Sequence, residues 1–107
     1  MSPFTFDHLG IVATDPPITA RFWASLLEGT VEPGPPLAVR AGGLHIAIDA
    51  GTPPASRGLH LALRVDALDP WIHRLDALGA PWERVADRLY ALDPDRFVLE
   101  LVPSTRP

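Results

Sequence analysis

Apolar and polar positions along this chain follow two periods, and the two take turns. From Phe6 to Thr14 the alternation is by twos. Leu9, Ile11 and Ala13 fall on one side and His8, Gly10 and Val12 on the other, as in a strand with one covered face. Asp15 then offers a helix N-cap, and Pro16 suits the first helical turn. Ile18, Phe22 and Leu26 recur at helical spacing with Trp23 and Leu27 beside them, which predicts a helix over Pro16–Leu27 stopped by Gly29. Three short strands follow, Thr30–Glu32, Leu37–Arg40 and Leu44–Ile48, divided by Pro33–Pro36 and Gly42–Gly43. The order is βαβββ.

The stretch Gly51–Gly58 reads as a linker, and beyond it the order repeats. His60–Val65 is a predicted strand. Asp69 is an expected N-cap before Pro70. Trp71, Ile72, Leu75 and Leu78 mark a helix over Pro70–Leu78 that ends at Gly79. Ala80–Val85, Arg88–Leu92 and Phe97–Val102 are three more strands. Leu92–Arg96 supplies the last turn, and Pro103–Pro107 is a tail. A repeat of roughly fifty residues signals paired units. The expectation is an α+β chain forming a single domain, 1–107, of two βαβββ modules at about 4–50 and 58–103, with a linker at 51–58. One helix covers only one face of each sheet, so the other face must meet its counterpart or a second copy of the chain.

Composition changes this picture mainly by exclusion. At 107 residues there is material for one modest core. A net charge of −4 without any cluster of basic residues argues against nucleic acid or an anionic membrane as partner. The absence of cysteine removes disulfides, thiolate metal sites and cysteine nucleophiles. No run is apolar enough to span a membrane, and "MSPFTFDHLG" lacks the features of a signal peptide. The reading is a cytoplasmic protein with neither nucleic acid nor a membrane as its partner.

Strand parity sorts the candidate chemistry. The apolar residues take the helix side, which turns His8, His45, Ala47, Asp49, His60, Ala62, Arg64, Val98 and Glu100 the other way. Trp82 and Tyr90 lie on strands and suit stacking on a planar ligand, as they also suit core packing. Arg64 would attract a substrate carboxylate or phosphonate, and it is equally an ion-pair partner for Glu100. His73 falls on the polar side of the second helix. No Gly-rich phosphate loop and no serine–histidine–aspartate arrangement is recognisable.

The stretches "DHLGIVATD…FWASLLEG", "LHLALRVDALDPWIHRLDALGAP" and "YALDPDRFVLELV" resemble the vicinal oxygen chelate superfamily. Glyoxalase I, bleomycin-resistance proteins and extradiol dioxygenases belong to it. The likeness covers nearly the whole chain and is greatest to short bacterial glyoxalase-like members. It implies sheets that curve into a cup around a small molecule. It also implies metal ligands at His8, Ala47, His60 and Glu100, of which the alanine has no donor. Two imidazoles and a carboxylate suit a divalent ion: Fe, Mn, Ni or Zn. Tyr90, Asp93-Pro94 and Glu100 match the dioxygenase pattern. Arg96 stands where that pattern has glycine, and no histidine precedes Tyr90 in "APWERVADRLY".

The resemblance thus assigns His8, His60 and Glu100 to a metal, Glu100 and Tyr90 to catalysis, and His45, Arg64, Trp82 and Tyr90 to the substrate pocket. The implied activity is that of a metal-dependent isomerase, lyase or dioxygenase. The alternative is a metal-free small-molecule binder or drug-sequestering resistance protein. Shallow sheets with exposed edges imply a homodimer, with intrachain or exchanged pairing of modules.

Overall fold

The computed structural model describes residues 3–54 and 59–104. The chain divides into two compact units, Met1–Pro53 and Pro54–Pro107. Residues 55–58 of the expected linker and 105–107 of the expected tail lie outside the described residues.

The first module runs β1 (Leu9–Ala13), α1 (Pro16–Leu27), β2 (Thr30–Glu32), β3 (Leu37–Ala41) and β4 (Leu44–Ala50). Its four strands lie in the order β1-β4-β3-β2, with β1 and β4 parallel and the other pairs antiparallel. The second module repeats this with β5 (His60–Val65), α2 (Asp69–Ala77), β6 (Trp82–Val85), β7 (Arg88–Leu92) and β8 (Val98–Pro103), in the order β5-β8-β7-β6. Both modules are therefore α+β units built around a mixed four-stranded sheet, as the repeat predicts.

Helix α1 begins where the sequence places it. Asp15 Oδ1 accepts the Ile18 amide at 3.3 Å, and Pro16 opens the first turn. Its apolar stripe, Ala20, Trp23 and Leu26, is fully buried together with Val39, Ile46 and Ile48 of the sheet. In the second module Leu75 of α2 is buried with Leu89, Leu99 and Leu101.

Several boundaries differ from the expectation. Strand β1 starts at Leu9 rather than Phe6. Leu9 pairs with Ile46, so β4 has only two residues left, Leu44 and His45, before the Gly42–Gly43 turn. Little ladder remains for Phe6 to join. Helix α2 starts at Asp69, one residue early, and its cap position is Leu68. The Leu68 carbonyl accepts from Trp71 and Ile72 at 3.0 Å, and no side chain caps the helix. Strand β6 starts at Trp82 because the Ala80 amide still donates to Leu75 at the helix end, at 2.9 Å. Phe97 belongs to the turn before β8, since its amide donates to Asp93 Oδ1 at 2.8 Å.

The two helix stops also separate two uses of glycine. Gly79 adopts φ +68 after α2, the left-handed conformation that ends a helix. After α1 the left-handed residue is Glu28, at φ 56. Gly29 serves instead for close approach, because a Cβ there would collide with the Arg40 carbonyl and lie 2.8 Å from Ala41 Cβ.

Candidate functional site

On the second module, register fixes which residues share the sheet face away from α2. Ala62 pairs with Glu100, Glu100 with Tyr90, and Tyr90 with Glu83, so these four form one row. His60 lies beside Val98, one step along the same face, and Val98 pairs in turn with Leu92. Arg88 shares the face two residues before Tyr90.

Glu100 is the centre of this arrangement. It is 5% exposed, and each carboxylate oxygen has its own partner. Oε1 stands 3.1 Å from His60 Nε2, and Oε2 accepts from Arg88 Nη1 at 2.6 Å. Asp87 Oδ1 lies 3.6 Å from Arg88 Nε on the other side. The hydrogen bond and charge of Glu100, with a smaller contribution from Asp87, raise the Arg88 guanidinium above its usual range. A buried carboxylate is tolerable only when paired and hydrogen-bonded, and both conditions hold here.

Arg64 does not play the part of Glu100's partner that parity also allowed it. It is exposed, and Nη1 reaches the Pro103 carbonyl at 3.4 Å. Arg88 takes that place instead. Sequence parity carried the signal, because Arg88 has the parity of Tyr90 on a strand antiparallel to β8. Trp82 has the opposite parity and pairs with Ala91, and its indole N–H donates to Asp76 of α2 at 2.7 Å. The same side chain still borders an open groove of about 330 Å³, with Pro81, Glu83, Tyr90, Leu92 and Val98. Its lining is mostly apolar and includes two members of the Glu100 row, Glu83 and Tyr90.

On the first module, His8 stands immediately before β1. Its Nδ1–H donates to Asp7 Oδ2 at 2.7 Å. The His8 imidazole holds the Asp7 carboxyl below the usual carboxylate range, by hydrogen bond first and charge second. The His45 ring lies 5.7 Å from that of His8, centroid to centroid, at 51°. Arg40, opposite His45 in register, is paired through Nε with Glu32 Oε2 at 2.7 Å. Ala47 is buried beside Gly10 and offers no donor. Asp7 is a further residue that the sequence pattern alone did not single out.

Among the described residues, neither module by itself gathers three His, Asp or Glu side chains into a metal-holding group. The pair on the second module nonetheless fits a divalent ion. Two ligands about 2.1 Å from an octahedral ion and at right angles stand about 3.0 Å apart. His60 Nε2 and Glu100 Oε1 are 3.1 Å apart. An imidazole with a carboxylate is also a donor set that Mn, Fe, Ni and Zn accept.

Residues 4–100 match the family described as "Glyoxalase-like domain". The chain belongs to that family. No curated protein matches it. Among solved structures, this glyoxalase-like chain is similar to the fosfomycin resistance protein FosX of Mesorhizobium loti, at 21% identity and TM-score 0.83, over 98% of this chain and 95% of that one. It is similar to FosX of Listeria monocytogenes, solved with Mn(II) and sulfate, at 22% identity and TM-score 0.81, over 98% and 93%. It is also similar to the oxidase ChaP-H2, at 23% identity and TM-score 0.80, over 99% and 96%. These likenesses show the fold. No described helix is long and apolar enough to cross a membrane.

Proposed function

We propose that this glyoxalase-like protein binds a small molecule against the Glu100 face of its second module. We further propose that it acts on that molecule as a divalent-metal-dependent isomerase, lyase or dioxygenase. The observation that carries the reading is the separation of His60 Nε2 and Glu100 Oε1, 3.1 Å, on two adjacent parallel strands. His60 and Glu100 would hold the ion, with His8 as third ligand by its strand position. An ion bound there would polarise two neighbouring substrate oxygens and offset the negative charge that develops on them. That FosX was solved with Mn(II) supports manganese as the first ion to try.

The chain's own groups have separable tasks in this reading. Arg88 anchors Oε2 of Glu100, which leaves Oε1 as the oxygen able to ligate or to move a proton. Tyr90, directly across from Glu100, borders the groove and would orient the substrate. Leu92 and Val98 present apolar surface to the rest of the ligand. His45 and Arg64 are proposed as further substrate-facing residues, and Trp82 as an aromatic wall. The protein is proposed to act in the cytoplasm as a homodimer.

Calorimetric titration with Mn(II) tests the reading. Wild type should bind one ion per chain, and His60→Ala and Glu100→Gln should each weaken binding at least tenfold. Equal affinity in the variants, or no binding in wild type, would overturn it.

A second reading is favoured by one observation: both oxygens of Glu100 already have partners, at 2.6 and 3.1 Å. Arg88 then serves in place of a metal, and the protein is a metal-free small-molecule binder or drug-sequestering resistance protein. Treatment with a chelator separates the two. Ligand binding that survives metal removal supports the second reading, and ligand binding that disappears and returns with Mn(II) supports the first.

A further inference from the structure

The first module carries an imidazole pair that the trio of His8, His60 and Glu100 does not account for. Continuing the β1–β4 register by one residue sets His8 beside His45, on the sheet face away from α1. The corresponding neighbour of His60 is Val98. The second imidazole is therefore a feature of the first module alone, where Ala47 replaces the carboxylate that Glu100 supplies in the other.

Four observations bear on what the pair can do. The ring centroids are 5.7 Å apart and tilted by 51°. Adding the half-width of each ring to the metal–nitrogen bonds, two imidazoles sharing one first-row ion have centroids about 4.5–6.5 Å apart. Asp7 Oδ2 accepts from Nδ1–H of His8 at 2.7 Å, so in the neutral ring Nε2 is the nitrogen open to a metal. The neighbouring cation, Arg40, is neutralised by Glu32 at 2.7 Å, so it does not oppose a second positive charge as a bare guanidinium would. His8 is about half exposed, with its side chain at 47%, so water can complete the coordination shell.

We infer that His8 and His45 form a two-imidazole ligand pair for a divalent transition-metal ion, with Asp7 as the positioning residue that sets the His8 tautomer. This extends the proposed function by adding His45 and Asp7 to the metal-binding residues, and shares only His8 with it. The preferred ions are those that favour nitrogen, Ni(II), Cu(II) and Zn(II).

The test uses the full chain carrying His60→Ala and Glu100→Gln, so that the pair on the second module cannot contribute. Titration with Ni(II), followed by calorimetry, should show one ion per chain. Adding His45→Ala should weaken it at least tenfold. Cu(II) bound to the His60→Ala, Glu100→Gln chain should show hyperfine coupling to two imidazole nitrogens by electron paramagnetic resonance, a readout that needs no third substitution. No Ni(II) binding, binding indifferent to His45→Ala, or coupling to one nitrogen would each overturn the inference. So would tight binding of inorganic phosphate without Ni(II), which would make the face an anion site. Failure here leaves the His60–Glu100 reading standing, because that reading is decided by Mn(II) affinity with His45 in place. Conversely, Mn(II) affinity that is undiminished in the His60→Ala, Glu100→Gln chain would remove the His60–Glu100 reading, whereas Ni(II) bound there through His45 supports the imidazole pair and leaves that reading untouched.

Discussion

At the scale of single residues, the chemistry rests on short polar contacts whose consequences can be measured. Asp7 is the clearest case. The His8 imidazole lowers its folded-state pKa below the model-compound value of 3.8. A lowered carboxyl pKa means that the contact stabilises the folded state above that value and loses its effect as pH falls through the lower, folded one. The Asp7 carboxyl carbon followed by NMR should therefore titrate below 3.8 in wild type and shift upward in His8→Ala. An unchanged midpoint would show that the contact is not made in solution. Arg96 offers a second measurement. It stands at φ 70, in the turn where Asp93 Oδ1 accepts from Asp95 and Phe97 and the Arg96 amide donates to the Asp93 carbonyl at 2.9 Å. A residue with a Cβ is strained by about 1–2 kcal/mol in that region, while glycine loses more entropy on folding. Arg96→Gly should gain a net ~0.5–1 kcal/mol, read as a higher midpoint in urea. A lower midpoint would mean that the Arg96 side chain contributes more than its backbone costs.

At the scale of elements, local signals predicted type and order well and boundaries less well. The N-cap at Asp15 and the bounds of α1 were legible because capping is a contact between neighbours in sequence. The early start of α2, the late start of β1 and the late start of β6 were not. The start of β1 depends on where its partner strand runs out, that of β6 on the Leu75 carbonyl at the helix end, and that of α2 on the Leu68 carbonyl, which accepts the first helical bonds with no side-chain cap. Gly29 shows the same division. It reads as a helix stop, yet Glu28 takes the left-handed turn and Gly29 is needed where the chain passes the Arg40 carbonyl. Gly29→Ala should therefore cost about 1–3 kcal/mol through overpacking against β3. Thermal unfolding checks this, and a neutral result would show that β3 can retreat without penalty.

At the scale of the whole molecule, each sheet leaves two strands at its edges within its own module, β1 and β2 in the first and β5 and β6 in the second. Phe4 and Phe6 are 76% and 66% exposed, and Val31 and Val85 are exposed on β2 and β6. Apolar edges of this kind are normally covered. The expected outcome of light scattering is the mass of a homodimer, and a monomer mass at high protein concentration would reject it. The sequence by itself determined the βαβββ repeat and, for β1, β4, β5 and β8, the helix side of the strand and the residues facing away from it. It could do so because side-chain direction alternates with chain position and needs no knowledge of what lies alongside. It pointed to Arg64 as the cation beside Glu100 and did not single out Arg88. The choice fell to Arg88 because β7 and β8 lie antiparallel with Tyr90 opposite Glu100, while Arg64 reaches the Pro103 carbonyl instead. Which eligible side chains meet depends on strand pairing and reach, and only the tertiary structure supplies those.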